Sequence, residues 1–136
     1  MSEIRVVEYF HTTVKDSVGA GYRLLTELAD EGVNLVAFNA IPVGPYNVQM
    51  MLFPEEPELL VRTASKTGLV LTGPQQALLI QGDDRLGALA EIHRRLFDAG
   101  VNVYSSTAVT SGEGGYGYLV YLKSHDIEKA AATLEI

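Results

Sequence analysis

Two kinds of hydrophobic pattern recur along this chain. Short runs rich in β-branched and aromatic residues, such as 4–13, are typical of strands. Other stretches place apolar residues three or four positions apart, as at Leu89, Ile92 and Leu96, which is typical of a helix with one buried face. These patterns predict the order β-α-β-β-α-β over residues 4–71, and the same order restarts at residue 76.

The predicted elements divide the chain into two similar halves. In the first half we expect strands at 4–13, 34–41, 46–53 and 69–71, and helices at 18–31 and 54–68. In the second half we expect strands at 76–81, 101–110 and 116–122, and helices at 86–99 and 124–134. The turn residues Thr72-Gly73-Pro74 predict the boundary, which gives repeats of residues 1–72 and 73–136. The fold class is therefore α+β, with two ferredoxin-like repeats whose helices cover one face of an antiparallel sheet.

A shift of 68 positions aligns the two halves without a gap. It places Gly19 on Gly87 (87 − 19 = 68), Asp16 on Asp84, and Gly32-Val33-Asn34 on Gly100-Val101-Asn102. The matches fall at turns, helix ends and predicted core positions. The pattern indicates a duplicated unit.

The second half resembles a known family. Its sequence reads Asp-Arg-Leu-Gly-Ala-Leu at 84–89, then a helix, then Ala-Gly-Val-Asn-Val at 99–103. This is similar to the ACT domain motif Asp-x-Pro-Gly-x-Leu, a helix, and Gly-(Val/Ile)-Asn-(Ile/Val). The first half matches more weakly but in register, and no catalytic domain accompanies the two. The resemblance implies a stand-alone tandem ACT protein that binds an amino acid or related metabolite and allosterically regulates an enzyme or regulator, without a cofactor or catalysis of its own.

The resemblance also implies where the ligand binds. ACT domains that bind ligands use the loop before the first helix and the Asn that opens the second strand. The corresponding residues are Asp16, Val18, Gly19 and Asn34 in repeat one, and Asp84, Leu86, Gly87 and Asn102 in repeat two. The chemistry agrees, because helix N-terminal amides bind carboxylates, glycine permits close approach of a ligand, and an Asn amide both donates and accepts.

Each of these features also has a simpler structural interpretation. Gly32 and Gly100 can end helices, Asp16 and Asp84 can cap them, and the two Asn residues can simply occupy tight turns. Val18 and Leu86 replace the motif proline. That departure supports a second hypothesis, a protein-interaction module whose ligand clefts have lost their function.

A rival motif lies at 115–121, where Gly-Tyr-Gly-Tyr-Leu-Val-Tyr resembles an RNA-recognition-motif signature. RNA-binding proteins with this strand order stack bases on exposed aromatic residues. Glycine at position 114 replaces the leading basic residue of the signature, and Leu78-Leu79-Ile80 in the partner strand has no aromatic residue. RNA binding is therefore a remote alternative. The simpler interpretation is that Tyr116 and Tyr118 pack across strands.

Composition narrows the partners further. The net charge of −7 argues against nucleic acid and against an anionic membrane surface. No uncharged apolar run approaches the ~20 residues of a spanning helix, and no His, Asp and Glu spacing predicts a metal site. We therefore expect a cytoplasmic location.

The sequence also predicts how the sheets associate. In the ferredoxin-like order the second strand lies at a sheet edge, and exposed edges are usually covered. We expect the strands that begin at Asn34 and Asn102 to pair, which merges the sheets into one of eight strands with a cleft on each side of the seam. The second repeat has no full fourth strand after its last helix, which leaves 76–81 partly uncovered and predicts a homodimer that shields it.

Overall fold

The computed structural model of the protein describes residues 3–136. The strands are β1 (Glu3–Lys15), β2 (Leu35–Val43), β3 (Asn47–Pro54), β4 (Thr72–Asp83), β5 (Ser105–Thr110) and β6 (Gly115–Tyr121). The helices are α1 (Ala20–Asp30), α2 (Pro57–Thr67), α3 (Ala88–Asp98) and α4 (Ser124–Thr133). The predicted ferredoxin-like pattern is confirmed in both halves. No helix in residues 3–136 has the length and apolar character needed to cross a membrane.

The duplication extends to individual hydrogen bonds. Helices α1 and α3 have the same length and lie 68 positions apart. The amide of Val33 donates to the carbonyl of Leu28 over 2.9 Å, and the amide of Val101 donates to that of Leu96 over the same distance. Gly32 and Gly100 adopt the left-handed backbone conformation. Their predicted role as helix stops is confirmed.

The chain forms two compact units. The first unit is Glu8–Gln75, and the second is Met1–Val7 together with Gln76–Ile136. Strands β1 and β4 are therefore each divided between the units, and β4 runs without interruption through the predicted boundary at 72–74. The strand order is β2-β3-β1-β4 in the first unit and β1-β4-β6-β5 in the second.

The start of β1 supplies the strand that the second half of the sequence lacks. Ile4 packs against the core of the second unit, and β4 has β1 and β6 as its neighbours. Within β4, residues 77–80 are buried. The expectation that 76–81 would be partly uncovered was therefore wrong, and the reason that the sequence offered for a homodimer does not apply.

The predicted pairing of the second strands was also wrong. Strand β2 is bonded to β3 and β5 is bonded to β6, and each is an edge strand of its unit. Across residues 3–136 the strands number six rather than eight, because β1 and β4 contribute residues to both units.

Each unit has its own hydrophobic core, formed by one face of its strands and the apolar faces of its helices. The core of the first unit consists of Phe10, Leu24, Leu28, Val33, Met50, Leu52 and Leu60. The core of the second unit includes Leu78, Ile80, Ile92, Leu96, Val101, Tyr116, Tyr118, Val120, Ile127 and Ala130. These cores hold the helices against the sheet and so fix the loops that precede α1 and α3.

Gly73 occupies a position that only glycine fits. Its φ is +132°, and a Cβ built there would lie 3.0 Å from the Tyr9 carbonyl oxygen. We expect Gly73→Ala to lower the free energy of unfolding by about 2–3 kcal/mol, since an unfavourable φ and a backbone clash act together. Gly68→Ala is the matched control: its φ is +81° but a Cβ would have open space, so its cost should be about 1 kcal/mol. Urea unfolding of both variants provides the measurement, and equal costs would contradict the predicted crowding.

Candidate functional site

A cleft of about 330 Å³ lies in the second unit between the start of α3 and the end of β5. Its lining residues are Asp84, Arg85, Gly87, Ala88, Leu89, Ala90, Ala108, Val109, Thr110 and Tyr116. The cleft therefore contains two of the predicted ligand residues, Asp84 and Gly87. Its two charged lining residues, Asp84 and Arg85, carry opposite signs, and most of the other lining residues are apolar.

The loop at the head of this cleft is fixed by its backbone. The amide of Asp84 donates to the carbonyl of Gly114 over 2.8 Å, which joins the end of β4 to the β5–β6 turn. Gly87 then takes a φ of +81° and starts α3 without a capping side chain among the described residues. The interpretation of Asp84 as a side-chain cap is therefore wrong. The first-turn amides of α3 lie beside the cleft without a side-chain acceptor.

Asn102 lies at the other end of α3. Helix α3 has 11 residues between the loop that ends at Gly87 and the turn that precedes Asn102, and at about 1.5 Å per residue this separates them by roughly 16 Å. Asn102 is exposed and does not line the cleft. Within one unit the structure thus separates two groups of residues that the resemblance assigns to one ligand site.

Repeat one shows the same separation. The amide of Asp16 donates to the carbonyl of Tyr46 over 2.8 Å, as in repeat two, and Gly19 has a φ of +88° at the start of α1. Asp16 makes no side-chain cap there either. Asn34 lies beyond the far end of α1, where its side-chain amide donates to Glu55 Oε2 over 2.6 Å.

Asn34 belongs to a separate polar pocket in the first unit. This pocket has a volume of about 240 Å³ and is lined by Gly32, Val33, Asn34, Glu55, Glu56 and Leu59. Its charged lining residues are both acidic. An anionic ligand group is therefore disfavoured at Asn34, and the side chain already has a carboxylate partner.

Val18 and Leu86 occupy the position of the motif proline in the two loops. Their side chains are 100% and 101% exposed. Neither packs against its own unit or lines the clefts described above. These positions therefore present two apolar side chains directly to solvent.

The sequence interpretation missed the wall that β5 contributes to the repeat-two cleft. Ala108, Val109 and Thr110 line the cleft, as do Arg85 and Tyr116. Small and β-branched residues at a strand end predict a strand, but they do not predict that the strand lines a cleft. Only the antiparallel pairing of β5 with β6, in which Thr110 lies opposite Tyr116, brings this wall beside the loop at Asp84.

The tyrosines of the rival RNA motif lie in the core. Tyr116 and Tyr118 are 8% and 4% exposed, and both belong to the core of the second unit. The hydroxyl group of Tyr118 lies 2.5 Å from Nε2 of His93 on α3. A base-stacking surface requires exposed aromatic faces, so these side chains fit the alternative interpretation as packing residues.

Comparison with known proteins supports the fold. Neither a protein-family model nor a curated protein sequence matches the chain. Among solved structures, protein BT0572 from Bacteroides thetaiotaomicron is similar, with a TM-score of 0.81 and 15% identity over 97% of this chain and 88% of that one. The ligand-free regulatory subunit of aspartate kinase from Thermus thermophilus is also similar, with a TM-score of 0.60 and 16% identity over 97% of this chain and 94% of that one.

A third solved structure also has a similar fold. The regulatory subunit of aspartate kinase from Thermus flavus has a TM-score of 0.56 and 12% identity over 98% of this chain and 94% of that one. Identities this low show a shared fold and leave the activity to be argued from the site. The duplicated βαββα units and the fold shared with regulatory subunits of aspartate kinase confirm, at the level of the fold, the resemblance of this chain to tandem ACT domains.

Proposed function

We propose that the protein is a regulatory protein that binds an amino acid or a related small metabolite in the repeat-two cleft and has no catalytic activity of its own. The single observation that carries this proposal is the cleft itself, which combines the glycine-tipped loop before α3 with an apolar wall. Its volume of about 330 Å³ lies at the small end of ligand pockets, which span about 300–1,000 Å³. A small metabolite suits this size.

The charges of the cleft suit a zwitterion. The carboxylate of Asp84 attracts an ammonium group, while Arg85 and the first-turn amides of α3 attract a carboxylate. Ala88, Leu89, Ala108 and Val109 offer a hydrophobic surface to a side chain. An amino acid with a small apolar side chain presents all three groups, so this class is the leading candidate ligand.

A regulatory role is supported by the solved structures of similar fold. Two of them are regulatory subunits of aspartate kinase. We propose by analogy that this chain passes the signal of its bound ligand to a metabolic enzyme or a regulator.

A ligand screen by thermal unfolding tests this proposal. A ligand present at a hundred times its dissociation constant stabilises a protein by about 2.7 kcal/mol, which corresponds to a rise in melting temperature of about 10 °C for a chain of this size. We expect one or a few of the twenty amino acids, those with small apolar side chains, to give a rise of this order. No rise with any amino acid or common metabolite would contradict the proposal.

Matched variants locate the site. Asp84→Asn removes the charge that faces the ammonium group, and we expect the dissociation constant to rise at least about tenfold. Asp16→Asn changes the equivalent loop position of repeat one and should leave binding in the repeat-two cleft unchanged. Isothermal titration calorimetry on both variants provides the measurement. A loss of binding in Asp16→Asn alone would move the site to repeat one.

A second candidate function rests on the exposed loop tips. Val18 and Leu86 present apolar side chains to solvent where the ACT motif has a rigid proline, and exposed apolar groups often contact another protein. Under this alternative the clefts bind nothing and the chain regulates a partner directly. A partner enzyme recovered without any ligand, and lost from Leu86→Ser, would favour it over ligand binding.

RNA binding is the remote alternative. It requires Tyr116 and Tyr118 to stack on bases, and both side chains are buried. The net charge of −7 also disfavours an RNA backbone.

A further inference from the structure

A second pocket of the second unit lies along α3 and has a volume of about 270 Å³. Positions 88, 91, 92 and 95 of α3 line it, and they fall on one face of the helix. Arg85, in the loop before α3, lines the same pocket. We call this space the arginine pocket, because Arg85 and Arg95 both belong to its lining.

The arginine pocket and the repeat-two cleft lie on opposite sides of Tyr116. Strand β5 forms one wall of the cleft, whereas Ile4 of β1 lines the arginine pocket. These two strands are the outer strands of the unit, and Tyr116 belongs to β6 between them. Arg85, Ala88 and Tyr116 line both spaces. Arg85 is therefore the charged residue that the two spaces share.

The positive charges of the arginine pocket are not neutralised by ion pairs. Within residues 3–136, neither Arg85 nor Arg95 forms an ion pair with a carboxylate. Arg95 Nη2 donates to the carbonyl oxygen of Thr133 over 3.0 Å. This uncharged acceptor holds the side chain in place and leaves its charge available to a ligand.

The acidic residues that line the pocket have partners of their own. Glu91 accepts two hydrogen bonds from Arg94, over 2.8 and 3.2 Å, and these bonds lower the pKa of the Glu91 carboxyl group. Arg94 does not line the pocket, so it neutralises Glu91 without occupying the space. Asp83, the other acidic residue of the lining, is not free either. The pocket therefore offers two guanidinium groups to a negatively charged ligand.

Repeat one has no counterpart of these two arginines. Under the shift of 68 positions, Ser17 corresponds to Arg85 and Glu27 corresponds to Arg95 (85 − 68 = 17; 95 − 68 = 27). Repeat one forms the same β-α-β-β-α pattern without them, so the fold does not require them. This difference indicates that the pair serves a purpose particular to the second repeat.

We propose that the arginine pocket binds a small metabolite with two negative charges, held between Arg85 and Arg95. The planar fork of a guanidinium group matches the oxygens of a carboxylate or a phosphate. Ile4 and Ile92 provide an apolar surface for a short carbon chain. The volume of about 270 Å³ lies just below the range of about 300–1,000 Å³ of most ligand pockets, which restricts the ligand to a small molecule.

The shared arginine makes this ligand an antagonist of the ligand in the cleft, a consequence that rests on the proposed function. The carboxylate of an amino acid in the cleft and the dianion in the arginine pocket both interact with Arg85. Two anions on either side of one guanidinium group compete for its charge and repel each other. Such coupling is reciprocal, so each ligand lowers the affinity of the chain for the other.

A titration followed by nuclear magnetic resonance tests the pocket in the absence of any amino acid. We expect inorganic phosphate, succinate or both to cause saturable shifts of the backbone amides of Ile4, Ala88 and Ile92 at constant ionic strength. A concentration of about 10 mM suffices, because it nearly saturates a site of millimolar affinity. Shifts with one probe alone identify the ligand as a phosphate or as a dicarboxylate. No saturable shift with either probe would overturn the proposal.

Charge variants locate the bound dianion. Arg95→Gln should raise the dissociation constant of the active probe at least about tenfold, and Arg95→Lys, which keeps the charge, should raise it less. Arg62→Gln is the matched control, because it removes an exposed arginine from the first unit and changes the net charge equally. Equal weakening by Arg95→Gln and Arg62→Gln would overturn the proposal. Arg85→Gln, at an exposed position, provides the same test if Arg95→Gln does not fold.

Calorimetry tests the coupling, with an amino acid that binds in the cleft as the second ligand. A saturating concentration of the active probe should raise the dissociation constant of the amino acid at least about fivefold. Arg95→Gln lies outside the cleft and should abolish this effect without preventing the amino acid from binding. Equal affinity for the amino acid with and without the probe would overturn the coupling. Binding of the probe without binding of any amino acid would leave the arginine pocket in place and remove the proposed function instead.

Discussion

Shortening the chain so that it begins at Glu8, after an initiator Met, should unfold the second unit and leave the first unit folded. Residues 3–7 supply the outer strand of the second unit, and Ile4 packs against its core. The shortened chain loses both the apolar area that these residues bury and the hydrogen bonds by which this strand pairs with its neighbour. We expect this loss to exceed about 4 kcal/mol, a magnitude that single changes seldom reach. The first unit keeps all four of its strands, because it needs β1 only from Glu8 onward.

Hydrogen exchange resolved along the chain measures this effect. Amides of α3, β6 and α4 should lose protection in the shortened chain, while those of α1, β3 and α2 should keep it. Arg5→Ala, an exposed substitution in the same segment, is the control and should change stability by less than about 0.5 kcal/mol. Full protection of α3 in the shortened chain would show that the segment is dispensable.

The sequence predicted the order of strands and helices in each half because the information is local. Glycine stops, apolar spacing and the repeat at 68 positions each depend on neighbouring residues, and α1 and α3 lie where these signals place them. The ferredoxin-like order follows from the sequence of elements alone. In contrast, the strand that completes the second unit comes from the opposite end of the chain. No local pattern in 73–136 predicts that this strand joins the second unit.

The candidate site could be predicted in part for the same reason. Asp84 and Gly87 were identified because the loop before a helix has a recognisable sequence. The wall formed by β5 depends on the antiparallel register of β5 and β6. The separation of Asn102 from Gly87 depends on the length of α3. A sequence motif predicts neither of these two features. The resemblance assigns all these residues to one kind of ligand site, but a family motif does not specify which unit contributes each residue to a given site.

The duplicated cores lead to the second large effect, a matched pair of substitutions. Leu28 and Leu96 are equivalent under the shift of 68, and each is 1% exposed. Leu28→Ala and Leu96→Ala should each cost about 3–5 kcal/mol, because each leaves a cavity in a closely packed core. Since each side chain belongs to a different core, the loss of amide protection should be confined to the first unit for Leu28→Ala and to the second for Leu96→Ala.

Leu25→Ala is the control for this pair, because Leu25 lies on the same helix as Leu28 but is 37% exposed. Its cost should be about 1 kcal/mol, in proportion to the smaller area that it buries. Urea unfolding gives the total cost of each change, and hydrogen exchange shows which unit is affected. If either core substitution lowered protection equally in both units, the prediction that each core stabilises its own unit would be contradicted.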